Sequence, residues 1–130
     1  MKILHPPAWA RPKGYSNGIA AKGQMIFVGG MVGWDADGQF ASNELVAQVR
    51  QALTNVVAVL AEAKAKPEHI VRMTWFLLDK KEYLAASKEL GAAYREIIGP
   101  HYPAMTAVQV TALIEDQARV EIEVTAVLPD

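Results

Sequence analysis

Between Glu44 and Ala63 apolar side chains recur at Leu45, Val49, Leu53, Val56, Val57 and Leu60, the spacing of one helix face, with Ser42 or Asn43 placed to cap the start and Pro67 beyond the end. The spacing predicts a helix over 44–63. The period changes to two in Ala118–Leu128, where Val120, Ile122, Val124 and Ala126 alternate with Arg119, Glu121, Glu123 and Thr125, a strand with one buried face. Ile70–Leu78 is rich in β-branched and aromatic residues and too short for a free-standing helix, so it reads as a central strand. Tyr15–Ala21 and Gln24–Val32 read as strands of a hairpin turning at Lys22-Gly23, followed by a second turn at Asp35-Ala36-Asp37-Gly38. Asp79 with Glu82 resembles a capping box, and Tyr83, Ser87, Leu90, Tyr94 and Ile97 form the stripe of a second helix that Gly99-Pro100 stops. Ala104–Ala112 supplies another strand. The order is β-β-α-β-α-β-β, an α+β domain spanning residues 1–130 with one mixed sheet and two helices on one face.

Two helices cover only one face of such a sheet. The strand Ile70–Leu78 carries Val71, Met73, Trp75 and Leu77 on one side and Ile70, Phe76 and Leu78 on the other, with only Arg72 and Thr74 polar. A second apolar face needs a partner the chain does not contain, which points to a symmetric homo-oligomer with function at its seams.

Composition narrows the chemistry. Hydrophobic residues make up 52% of the 130 and charged residues 21%, the profile of a soluble globular domain. Thirteen Lys plus Arg against fourteen Asp plus Glu leave a formal charge of -1, so no net field draws in nucleic acid or an anionic membrane. Cysteine is absent, which removes disulfides, thiolate metal sites and a cysteine nucleophile and fits a cytoplasmic setting. The Pro-rich start, Met1–Lys13, has no apolar run of the export type, and no stretch is long enough to cross a bilayer.

The three histidines, His5, His69 and His101, lack metal-site spacing, so no metal or other cofactor is expected. His101 lies in the loop Gly99-Pro100-His101-Tyr102-Pro103, as a pocket residue or an exposed loop histidine. No G-x-S-x-G elbow surrounds a serine. Gly29-Gly30, inside a strand, serves either close approach of a ligand to the backbone or a bend, and no helix follows at once to receive a pyrophosphate. Glu121 and Glu123 share one face of the last strand with Arg119. Glu121 is therefore either the ion-pair partner of Arg119 or an acid/base carboxylate in a subunit cleft.

Gly14-Tyr15-Ser16-Asn17-Gly18, the strand Met25-Ile26-Phe27-Val28 ending in Gly29-Gly30, Tyr102-Pro103-Ala104-Met105-Thr106 and Val120-Glu121-Ile122-Glu123-Val124 resemble the Rid (reactive intermediate deaminase) family over residues 14–127. The resemblance implies a chorismate-mutase-like trimer with a small-molecule cleft at each subunit interface and hydrolysis of enamines and imines. By that resemblance Tyr15 lines the cleft, Gly30 ends the strand beside it, and Glu121 orients water. The family's carboxylate-gripping arginine falls at Met105, its serine before the strand-ending glycine at Gly29, and its helix asparagine at Gly91. A thioether supplies no paired, charge-assisted hydrogen bonds, so the usual carboxylate clamp is missing. Arg119 and Arg72 are weak substitutes, Arg119 because a basic residue there accompanies an intact arginine in the family.

The sequence thus supports an imine/enamine deaminase acting on an unidentified substrate, with Glu121 as catalytic residue and Tyr15, Gly29, Gly30, Trp34 and Met105 shaping the binding site. The rival is a trimeric small-molecule binding protein without turnover. A ribonuclease or translation inhibitor, labels applied to relatives, conflicts with the balanced charge and the missing basic stripe.

Overall fold

The computed structural model describes residues 1–130. Its strands are β1 (Lys2–Leu4), β2 (Gly18–Ala20), β3 (Gln24–Val32), β4 (Ile70–Leu77), β5 (Ala104–Gln109) and β6 (Val120–Leu128). Its helices are α1 (Leu45–Glu62), α2 (Lys80–Ala85) and α3 (Ser87–Ile97), with a 3-10 turn at Pro67–His69. The main sheet is four-stranded in the order β3-β6-β4-β5, antiparallel except for the parallel pair β4-β5. The α+β class and mixed sheet expected from the periodicity are present.

Burial of the helix stripe against the alternating strand faces builds the core. Val49, Leu53, Val56 and Leu60 of α1 meet Val120, Ile122, Val124 and Ala126 of β6 and Met73, Trp75 and Leu77 of β4 in one continuous cluster. Gln48 of α1 is buried among them and fully used: its amide donates to the carbonyls of Ser42 and Gln117, and its carbonyl accepts from the Arg119 N–H. Gly33 lets the helix come this close, since a Cβ there would lie 2.7 Å from Gln48 Cα.

Five details differ from the sequence reading. The hairpin does not form: β2 pairs with β1, a strand the reading missed in the Pro-rich start, while β3 pairs with β6. The segment before β2 instead joins the free edge of β5, where Ser16 forms a parallel bridge with Ala104, its N–H donating to the Pro103 carbonyl at 2.9 Å and its hydroxyl to that of Tyr102. The second helix breaks at Ala86 into α2 and α3. Asp79 caps α2 as expected through the N–H groups of Lys81 and Glu82, but the Glu82 carboxylate goes to Arg119 rather than back to the cap. Ile70 faces the core together with Met73, because an extra residue in β4 between Ile70 and Arg72 shifts the alternation. At the start of α1, Ser42 accepts from the Glu44 N–H, two residues outside the helix cap, which is Glu44 itself.

The helices leave the other sheet face open. That face is mixed rather than apolar: Met25 and Phe27 of β3, Glu121 and Glu123 of β6, Arg72 and Phe76 of β4 and Val108 of β5 share it by register. Phe27 is 71% exposed on it.

Candidate functional site

The residues singled out by sequence fall into two groups on opposite faces of the sheet. On the open face, β3 carries an extra residue between Val28 and Met31, so Gly29-Gly30 is a bulge. The bulge also receives a side chain. A Cβ at Gly30 would lie 2.1 Å from Glu121 Oε2, so only glycine leaves room for the carboxylate there. Gly29 has nothing within 4 Å of where its Cβ would stand, and with Phe27, Arg72, Thr74, Glu123 and Thr125 it borders a shallow depression of about 270 Å³. Of the two readings of the glycine pair the bend is present, and the group set against Gly30 is the Glu121 side chain of the same chain.

Arg119 does not pair with Glu121. Its guanidinium makes a two-pronged bond to Glu82 of α2, through Nε to Oε1 at 2.8 Å and through Nη2 to Oε2. That hydrogen bonding, with the charges of Glu82 and Asp79, outweighs burial and holds the arginine pKa above its usual value. The reason lies in position: Arg119 precedes the first residue of β6 and sits where the chain passes α2, outside the strict alternation that the sequence suggested. The Glu121 carboxylate, on a half-buried residue, makes no hydrogen bond or ion pair within the chain.

The second group lies on the helix side, around a cavity of about 500 Å³. Met105 and Ala107 of β5 and Trp75 of β4 form its floor, α3 contributes Gly91, Tyr94 and Arg95, and Tyr15 stands at its rim. The Ser16 bridge to β5 carries Tyr15 there, with Gly14 turning the chain at φ 77 just before it. Tyr94 and Tyr102 stack at 5.5 Å, and Tyr83 meets the Trp75 ring edge-on at 6.2 Å. Burial pushes the Tyr83 and Tyr94 phenols up, Tyr94 further because of Tyr102, so both stay neutral. Tyr94 accordingly donates to the His101 carbonyl at 2.6 Å.

Trp34 belongs to neither group within one chain. It packs on Phe40 at 5.8 Å, and its carbonyl accepts from Asn55. His101 is structural, its Nε2 lying 2.7 Å from the Ile70 carbonyl. Sequence reasoning missed the aromatic cavity. Its signal was present as two tyrosines and a serine on the stripe Tyr83, Ser87, Leu90, Tyr94, which periodicity alone reads as packing.

No helix is long and apolar enough to cross a membrane. The endoribonuclease L-PSP family model matches residues 7–128. A RutC family protein of Synechocystis sp. is 35% identical over 99% of this chain and 98% of its own. A 2-iminobutanoate/2-iminopropanoate deaminase of Capra hircus is 34% identical over 78% of this chain and 72% of its own. Among solved structures, a Rid-family protein of unknown function from Yersinia pestis superposes with a TM-score of 0.83 at 28% identity, covering 98% of both chains. With the family model matched over nearly its whole length and the fold shared with that structure, the chain belongs to the endoribonuclease L-PSP family, the group of the RutC and Rid proteins.

Proposed function

We propose that the protein is an imine or enamine deaminase that works in clefts between copies of itself, arranged as a homotrimer. The observation that carries this reading is the Glu121 carboxylate, unpaired, half-buried and seated where a side chain at Gly30 would stand. Relatives named as deaminases of 2-iminobutanoate and 2-iminopropanoate support the reaction class. Within one chain Glu121 and the aromatic cavity face away from each other, so the cleft needs the open face of one copy, bearing Glu121, Gly29 and Gly30, against the cavity of the next, bearing Tyr15 and Met105. Trp34, near the glycine bulge in the chain, would border the seam.

The chemistry follows from the carboxylate. Glu121 accepts a proton from a water molecule as the water oxygen bonds to the C=N carbon, and the imine nitrogen takes up a proton. The carbinolamine then collapses: Glu121 takes the hydroxyl proton and passes a proton to the amino nitrogen, the C–N bond breaks as C=O forms, and ammonia departs. The products are a carbonyl compound and ammonia, with one water consumed.

Glu121→Gln keeps the shape and removes the base. Turnover of 2-imino acids generated in solution should fall by about a hundredfold or more, with assembly and Tm unchanged. Met105 supports a second reading, a binding protein without turnover, because it offers no charge to a carboxylate where the family has arginine. An unmodified protein that clears no imine would favour that reading over catalysis, and a Glu121→Gln variant as active as the parent would remove Glu121 from the chemistry.

A further inference from the structure

The helix-side cavity says more about the ligand than its family position does. Its volume of about 500 Å³ lies within the range that holds drug-sized ligands, roughly 300–1,000 Å³, and far exceeds a three- or four-carbon imino acid. Its walls are aromatic and soft: Trp75, Tyr83, Tyr94, Tyr102 and the Met105 thioether, a group that favours contact with ring edges. The Trp75 indole N–H, in a residue only 2% exposed, has no hydrogen-bond partner. That nitrogen is closed to solvent, so Trp75 serves the cavity as a packed ring and not as a hydrogen-bonding group.

Charge in the cavity has one sign. Lys13 and Arg95 line it, and no Asp or Glu does. Arg95 makes no ion pair, whereas its neighbour Glu96 is already bound to Arg50. Helix side chains lean towards the N-terminus, and Arg95 folds back over the preceding turn onto Gly91, whose Cβ, if present, would lie 3.3 Å from Nη1. The missing side chain at Gly91 is therefore the space the guanidinium occupies. An uncommitted guanidinium, held over a cavity whose floor residue Met105 is uncharged, suits a carboxylate through paired, charge-assisted hydrogen bonds.

We propose that Arg95 is the carboxylate anchor of this cavity and that its substrate is a 2-imino acid with an aromatic side chain, the ring lying against Tyr15, Tyr83 and Tyr102. This assignment rests on the deaminase reading for its reaction but not for its binding. Calorimetric titration with phenylpyruvate, the ketone product of such an imine, and with pyruvate tests binding alone. Phenylpyruvate should bind about tenfold or more tightly than pyruvate, and Arg95→Ala should weaken it about tenfold or more, with Arg95→Lys recovering part of the loss and circular dichroism unchanged. Equal affinity for the two acids, no binding of phenylpyruvate, or binding that survives Arg95→Ala and fails in Lys13→Ala would overturn the proposal. A companion assay follows clearance of phenylalanine- and alanine-derived imines. If binding behaves as expected and neither imine is cleared, the deaminase reading falls and the ligand assignment stands. If alanine-derived imine is cleared as fast as the aromatic one and Arg95→Ala changes neither rate, hydrolysis stands and this assignment falls.

Discussion

At the scale of single residues, Gly30 and Glu121 act as one unit. The alternation along β6 puts Glu121 on the open face, but the bulge in β3 decides what it meets there, and the bulge depends on a register that no local pattern contains. Gly30→Ala tests the unit. The added methyl would stand 2.1 Å from Oε2, so the end of a flexible side chain must move while the backbone need not. We expect turnover to fall by about tenfold or more with little change in Tm. A Gly30→Ala enzyme as active as the parent would show that the position of this carboxylate is not critical. Arg119 teaches the same lesson from the other side: it shares a stretch of alternating residues with Glu121 yet bonds to Glu82, because it lies just before the strand begins.

At the scale of elements, α1 was readable from its stripe alone, since seven of its residues are buried at the expected spacing. Its buried polar member, Gln48, was not singled out, and it ties the helix to the loop entering β6. Gln48→Leu keeps the size but strands the Arg119 N–H and two carbonyls in the interior. The expected loss is about 2–4 kcal/mol, a fall of roughly 10 °C in Tm, read by thermal unfolding. A change within a degree would mean that water reaches those groups. The missed hairpin has a comparable cause. Turn residues at Lys22-Gly23 predict that β2 and β3 pair as a hairpin, but the segment before β2 goes instead to the free edge of β5, where Ser16 meets Ala104 about 90 residues further along the chain.

At the scale of the whole molecule, the open sheet face is the unsettled surface. Phe27 and Met25 are 71% and 58% exposed on it, beside Glu121 and Gly29-Gly30. Burying one phenylalanine is worth about 1.5–3 kcal/mol, and a threefold assembly would repeat that gain at each seam. Sedimentation should therefore give a trimer, and Phe27→Asp should dissociate it while the circular dichroism of the separated chains remains that of the fold. A parent chain that stays monomeric at micromolar concentration would remove the shared cleft, and with it the meeting of Glu121 and the aromatic cavity.

The sequence by itself determined the types of the long elements α1, β3, β4 and β6, the helix-covered sheet face and the carboxylate worth testing, because period-two and helical spacings record burial directly along the chain. The family resemblance also located Tyr15, Met105 and Gly91, which the fold does bring around one cavity. Only the tertiary structure decided that Glu121 lies on the opposite face from that cavity, that Arg119 is engaged elsewhere, and that Arg95 occupies the space above Gly91. Those are matters of register, bulges and the meeting of distant segments. Each is set by which surfaces pack together in three dimensions, and a linear pattern of polar and apolar residues is nearly the same whichever way they meet.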